Sequence, residues 1–295
     1  MTGSADATLA RSRPAVPVWR RLRRFPWLPA ILLAPVVICG LFGPFLYPHD
    51  PTALNLLAPR QPPAWLSGGE WRFFLGTDQY GRDLLSRLIE GARISLIVAT
   101  AGVAVAAAIG ITAGMVAGYY GGAIDNLVMR LVDTIQAIPA VLLTILIGGA
   151  IGGGLWTIIA SIVIVFWGGY ARVIRGETLS LRERGFVALA KVANCSDRRI
   201  FLRHLLPNLM PTGIVLATLQ LGAALIIEAA ITFIGLGIQP PASAWGLLIA
   251  EGRAYVATAW WIPTFAGLAI TITVLGANLL GDWLRDALDP RLRQL

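Results

Sequence analysis

Few side chains in this sequence could do chemistry, and they stand far apart. Glu228 is the sole charge between Leu205 and Ala250, and an acid embedded among apolar residues is a functional suspect by default. Gln136 and Gln220 occupy similarly uncharged stretches, where they would either bond across helices or line a polar path. His49 and His204 are 155 positions apart, no HExxH occurs, and no Ser, His and Asp set can be assembled in one place. Cys39 lies in an apolar run and Cys195 in a basic loop. Without a CxxC pair or a ladder of spacings they argue against a disulfide framework or a thiolate metal site. Nucleotide binding by a phosphate-cradling loop needs GxxxxGK[ST], and the sequence contains no GK pair; its one lysine, Lys191, follows Leu189 and Ala190. These patterns predict no catalytic residue, no metal site and no cofactor held by this chain.

The elements that must position these residues follow from the distribution of charge. Of the 295 residues, 56% are apolar and 14% charged, well below the roughly one quarter charged that soluble domains carry. The basic residues flank apolar segments instead of alternating with a stacking platform, so the net charge of +8 does not point to nucleic acid. About 20 apolar residues cross a hydrocarbon core of about 30 Å, and the uncharged runs can be counted against that length. Leu28 to Tyr47 is a first span. Arg20, Arg21, Arg23 and Arg24 precede it as in a signal peptide, but no A-x-A-like cleavage site follows before Pro48, which favours an uncleaved span. Ile94 to Ile124 is a second, and the run from Thr134 to Ala171, broken by GGAIGGG at Gly148 to Gly154, makes two more. A fifth begins near Asn208 and a sixth covers Trp261 to Leu280. With the N-terminus inside, eighteen basic residues fall on the cytoplasmic side and six outside, which favours both termini in the cytoplasm. The expected fold class is an all-α integral membrane protein of six spans. A cytoplasmic basic segment over 1–27 is followed by the first span over 28–47 and an extracytoplasmic loop over 48–91. A five-span core over 92–284 includes a cytoplasmic loop at 172–207, and 285–295 form a cytoplasmic tail.

Two loops exceed what a connector needs. The outer one ends in DLLSRLIE, where Leu84, Leu85, Leu88 and Ile89 share one helical face and Asp83, Ser86, Arg87 and Glu90 the other. That pattern predicts a helix lying at the outer interface and feeding the second span. The inner loop is richly charged. Phe186, Val187, Leu189, Ala190 and Ala193 support a short helix, which Asn194 ends, because Asn tolerates the left-handed conformation of a sharp turn. Ser196 is the predicted N-cap of a second helix with Asp197 in its first turn and Ile200, Phe201, Leu205 and Leu206 on one face; Pro207 is expected to close or kink it. Cys195 completes the turn. Elsewhere, the 20-residue separation of Asn208 and Glu228 puts Glu228 near the outer interface, where capping of the AAITFIGLG segment is as good a role as cargo contact. Arg130 and Asp133 are expected to form a local ion pair.

The segment FVALAKVANCSDRRIFLRHLLPN resembles the EAA loop of binding-protein-dependent ABC transporter permeases, in which a short coupling helix docks in a groove of an ATPase subunit. That pattern has two small residues, here Leu189 and Ala190, then a glycine, here Asn194, then an Ile and a Pro, here Ile200 and Pro207. Leu189 and Asn194 depart from it, which implies an altered fit more than a lost docking. Leu75 to Leu96, Glu228 to Gly246 and Trp260 to Arg291 are similar to segments of the C-type permease subunits of dipeptide, oligopeptide and nickel importers.

The resemblance implies a type I importer permease of the bacterial inner membrane, contributing half of a translocation path for di- or oligopeptides. It implies a homologous B-type permease, two ATPase subunits that hold ATP and Mg, an extracytoplasmic solute-binding protein, and membrane lipid around the spans. Phe186, Val187, Leu189, Ala190, Asn194, Cys195, Ser196, Asp197, Ile200 and Pro207 would then couple to the ATPases. Gly76, Thr77, Asp78, Gly81, Arg82, Asp83, Arg87, Gln239 and Trp245 would meet the binding protein, and Gln136, Gln220 and Glu228 would lie along the path. LSGGE at Leu66 to Glu70 resembles the ABC signature sequence but falls on the outer side, away from cytosolic ATP, and is read as a Gly-rich turn. Nickel is the alternative cargo; soft ligands within the spans are few, chiefly Met115, Met129, Met210 and Cys39. A self-sufficient secondary transporter or channel is the competing class, against which stand the lack of mid-membrane charge pairs and of matched broken repeats.

Overall fold

The computed structural model of the chain describes residues 26–288. Most of the basic segment expected over 1–27, the end of the tail over 285–295, and Arg11, Arg13, Arg20, Arg21, Arg23, Arg24, Arg291 and Arg293 lie outside the described residues. The elements in chain order are α1 (Trp27–Leu46), α2 (Leu84–Tyr120), α3 (Gly122–Gln136), α4 (Ala140–Ile151), α5 (Leu155–Arg182) and α6 (Gly185–Val192). They continue with α7 (Asp197–Phe233), α8 (Trp245–Gly252) and α9 (Trp261–Leu288). Among the described residues there is no strand, only an isolated bridge between Thr77 and Asp83.

Five of these helices, α1, α2, α5, α7 and α9, are long and apolar enough to cross a membrane. Where the remaining crossing was expected, α3 and α4 bend by 91° across residues 137–139, the geometry of a broken span or a re-entrant loop. Pro139 stands at the break, where it cannot donate to a continuing ladder and ends α3 before α4 begins. The second break, over Gly152 to Gly154, falls where the glycine run predicts it, with positive φ at Gly152 and Gly154.

The centre of the bundle is α2, which packs against α1, α3, α5, α7, α8 and α9; its pairing with α5 is the most extensive in the molecule. The reason is written at every fourth position of one α2 face: Gly102, Ala106, Gly110, Gly114 and Gly118. A Cβ at Gly110 would collide with the Trp167 carbonyl and Tyr170, one at Gly114 with the Ala171 carbonyl, and one at Gly118 with the Arg175 carbonyl and Thr178. Removing the side chains lets two backbones approach, which is how helices gain contact in a solvent as apolar as they are. The same device recurs where Gly276 of α9 meets Leu32 and Leu33 of α1, and where Gly222 of α7 meets Val274 and Asn278 of α9.

Two local expectations are corrected. Residues 84–90 are not a separate interfacial helix: α2 is one helix of 37 residues, about 55 Å long at about 1.5 Å per residue. Its supposed solvent face is inside, with Asp83, Ser86 and Arg87 all buried, because α8 and the outer loop cover it. Pro207 neither closes nor ends the inner helix, which runs on from Asp197 to Phe233. A π turn at Phe201–Leu205 widens the ladder just before it, and Pro207 follows in the first turn of the α-helical segment. There its missing N–H costs little.

The glycine contacts separate two substitutions of the same kind. Gly114→Leu should lower the unfolding midpoint of the purified protein sharply, since the added side chain meets backbone and overpacking of about 1–3 kcal/mol or more results. Gly176→Leu, where nothing lies within 4 Å of an added Cβ, should leave the midpoint near its starting value in the same thermal melt.

Candidate functional site

The charge rule puts the end of the bundle that carries Arg130, Arg172, Arg175, Arg182 and the α6 loop in the cytoplasm. There α6 ends in a Schellman turn. Asn194 takes φ +53°, its N–H donates to the Lys191 carbonyl at 2.9 Å, and the Cys195 N–H donates to the Ala190 carbonyl at 3.0 Å. Two carbonyls left open by the helix end are thereby satisfied. Ser196 occupies the N-cap of α7, but its hydroxyl makes no capping bond; only its carbonyl takes part, accepting from Arg199 and Ile200.

The two faces of α6 differ. Val187 and Ala190 point into the core with Ile200, whereas Leu189 is 69% and Val192 85% exposed, with Phe186 beside them. At spacings of three these make an apolar stripe on the cytoplasmic side. The outward face is therefore Phe186, Leu189 and Val192, and Ala190, expected to lie on a docking surface, belongs to the packed face instead.

What fixes α6 and α7 to the bundle is Asp197. Tyr119 and Tyr120, the last residues of α2, each donate a hydroxyl to its carboxylate, to Oδ1 and Oδ2 respectively, both at 2.9 Å. Their rings also meet Phe201 edge-on, at 4.9 and 5.8 Å between centroids. The Lys191 ammonium lies 4.8 Å from the Tyr119 ring centroid, and Arg182 reaches the Gly118 and Tyr119 carbonyls, completing the C-terminal end of α2. The two tyrosines escaped the sequence reading; the only signal was an aromatic pair just before Gly121 and Gly122. Ion pairing nearby also differs from expectation. Asp133 pairs with Arg172 at 2.6 Å, not with Arg130, and Asp125 pairs with Arg175, so both acids tie α3 to α5 instead of closing a turn of α3.

At the opposite end, LGTDQYGRD folds into a buried charge cluster. Asp78 accepts from Arg82 Nε at 2.6 Å and from Arg87 Nη1, and Glu251 of α8 accepts from Arg87 at 2.7 Å and from Arg82 at 3.1 Å. Arg87 also donates to Ser243 at 3.1 Å. Asp83 caps α2 through the Ser86 N–H at 3.1 Å, as an N-cap acid should. Thr77 and Trp261 are joined by the indole N–H and a backbone carbonyl at 3.2 Å, and Trp245 donates to the Leu88 carbonyl at 3.0 Å. Gly76 and Gly81 carry positive φ and pass so close to the Gln61 and Asn55 carbonyls that neither admits a Cβ. Of the residues expected to meet a partner here, Gly76, Thr77, Asp78, Gly81, Arg82, Asp83, Arg87 and Trp245 are buried, and their side chains build the loop itself. Gln239 is exposed, as is Tyr80 beside the cluster. LSGGE is a turn, closed by the Gly69 N–H on the Leu66 carbonyl at 3.0 Å.

The three polar residues of the spans do not converge. Glu228 is fully buried between α2 and α7, where Ser95 donates to it at 2.9 Å and Thr232 at 3.1 Å. Thr232 in turn faces the Ile238 N–H at 3.4 Å, so Glu228 braces the turn after α7. Gln136 and Gln220 come instead to neighbouring glycines of α5, the first beside Gly168 and the second beside Gly169.

Residues 110–294 match the family described as binding-protein-dependent transport system inner membrane component. A di/tripeptide transport system permease protein, DppC, of Pseudomonas aeruginosa is 42% identical over 88% of this chain and 85% of its own. The probable D,D-dipeptide transport system permease protein DdpC of Escherichia coli is 38% identical over 89% and 86%, and the dipeptide permease DppC of Bacillus subtilis 37% over 94% and 85%. Among solved structures, a chain of the MetNI methionine ABC transporter in an inward-facing conformation superposes with a TM-score of 0.57 at 19% identity, over 70% of this chain and 98% of its own. That likeness is one of fold: the type I importer permease bundle.

Both ends of α2 can be tested. Arg87→Leu leaves two acids, Asp78 and Glu251, against the single cation Arg82 and should cost about 3–5 kcal/mol, read as a large drop in the denaturation midpoint. Replacing Tyr119 and Tyr120 together by Phe removes both hydroxyl bonds to the Asp197 carboxylate. It should speed hydrogen exchange of the α6 loop over 185–196 while exchange in the middle of α2 stays slow.

Proposed function

The chain belongs to the family of binding-protein-dependent transport system inner membrane components, and on that premise we propose that it forms one half of the path by which an ABC importer carries di- and oligopeptides. The observation that carries this most directly is the exposed apolar stripe of α6, tied to the end of α2 by two hydroxyl bonds to Asp197 at the cytoplasmic end of the bundle. A hydrophobic stripe on a water-facing helix calls for a partner groove. In this family setting the groove is that of an ATPase subunit.

A homologous second permease would close the path, two ATPase subunits would hold ATP and Mg, and an extracytoplasmic binding protein would deliver cargo. The chain itself binds no nucleotide and hydrolyses nothing; its part is to convert motion. Closure of the ATPases displaces α6, Asp197 transmits the displacement to Tyr119 and Tyr120, and α2 passes it to the helices packed around it. The cavity between the permeases turns outward, and it returns inward when the ATPases separate. Gln136 and Gln220, beside glycines of α5, are the polar span residues we assign to the path, because uncharged amides complement peptide bonds without fixing the cargo's side chains. Glu228 is assigned to bracing. The names of the peptide-permease relatives support peptide over nickel as the cargo.

Purification from native membranes should bring down a second permease and ATPase chains, with hydrolysis raised by binding protein loaded with dipeptide and not by nickel. Leu189→Asp, which puts a charge on the outward face of α6, should leave the permease pair assembled while abolishing transport and the stimulated hydrolysis. Recovery of the chain without any ATPase after crosslinking would overturn the importer reading in favour of a channel or secondary transporter.

A further inference from the structure

A cavity of about 730 Å³ opens between the cytoplasmic ends of α5, α7 and α9, and nothing in the coupling mechanism uses it. Two arginines stand in its lining, Arg184 at the start of α6 and Arg285 near the end of α9. Among the described residues neither guanidinium has an acid partner. Glu177, the one acid in the lining, accepts the Thr212 hydroxyl at 2.7 Å, so two cations face one carboxylate and the lining is net positive. Asn208 adds an amide at the same level.

Depth distinguishes the two ends of the cavity. Trp261 to Arg285 is 24 helical rises, about 36 Å, so Arg285 lies beyond a hydrocarbon core of about 30 Å, among the inner headgroups. Leu219 is 14 rises from Phe233 at the outer end of α7, about 21 Å, and so lies inside the inner half of the core. Between those levels the wall is apolar, formed by Val215, Leu216 and Leu219. The cavity is thus cationic at headgroup depth and oily below it. A zwitterionic peptide has no use for the apolar slot; an anion with a hydrocarbon tail matches both ends. Basic pockets between spans on the cytoplasmic side take acidic lipid headgroups for this reason.

We propose that this cavity is a binding site for an anionic phospholipid of the cytoplasmic leaflet, its phosphate between Arg184 and Arg285 and the upper part of one acyl chain along Val215 to Leu219. The site does not depend on what the transporter carries.

The test is native mass spectrometry of the intact transporter released from nanodiscs of phosphatidylcholine with a minority of phosphatidylglycerol. Wild-type protein should retain phosphatidylglycerol selectively. The double variant Arg184→Gln and Arg285→Gln should bind it roughly thirtyfold more weakly, the loss given by two arginines at about 1 kcal/mol each. The corresponding Lys pair should keep most of it. Leu216→Trp, which fills the slot without touching charge, should also reduce retention. Unchanged retention in the double Gln variant, or in Leu216→Trp, would overturn the proposal. So would displacement by inorganic phosphate, which would make this a free-anion site, or by dipeptide, which would make it part of the cargo path.

Discussion

A helix in hydrocarbon gains little by exchanging lipid tails for another helix's leucines, so the bundle depends on backbones that approach closely. The face of α2 from Gly102 to Gly118 meets that requirement for the whole molecule. Because its small residues admit α5 at backbone distance, the pair becomes a stiff two-helix core on which α1, α3, α7, α8 and α9 are laid. The apolar side chains elsewhere on these helices are free to face lipid or a partner. This is why so many large apolar residues are exposed here without the implication they would carry in a soluble protein.

Each end of that core is held by a carboxylate, in two different ways. Outside, Asp83 caps α2 while Asp78 and Glu251 neutralise Arg82 and Arg87 in a largely buried site. The net charge of those four groups is zero, as burial demands. Inside, Asp197 is a single acid on an exposed turn, gripped by two phenols instead of a cation. The outer arrangement is locked by many bonds spread over three segments. The inner one rests on two bonds and an aromatic cluster.

How much of this was legible in the sequence depended on the range of the interaction. Five of the spans were, because each contains a local run of about 20 apolar residues, and so was the turn at Asn194, because the residue and the break in pattern coincide. The bend at residues 137–139 was hidden inside an unbroken apolar run, where Pro139 alone marked it. The outer cluster was misread for a different reason. A helical wheel assigns Arg87 to water because it sees only its own helix, and its partner Glu251 comes 164 positions later. Tyr119 and Asp197 are 78 positions apart, and nothing local connects them. The local motif located the α6 loop, while the contacts that make it work are non-local.

The departures of this loop from the EAA pattern can be weighed on the same terms. Asn194 replaces a glycine, and its φ of +53° lies in the left-handed region that glycine adopts freely and Asn tolerates better than other side chains. Both bonds of the Schellman turn form, so the backbone path is preserved. What changes is the surface: an exposed amide stands at the turn where a glycine presents none. Leu189 changes it again, adding an isobutyl group to the outward stripe where the pattern has a small residue, whereas Ala190, which keeps the pattern, is packed inside. The two substitutions therefore fall on the exposed face and spare the face that meets the bundle. The outward surface of this loop is therefore bulkier at Leu189 and more polar at Asn194 than one built from two small residues and a glycine.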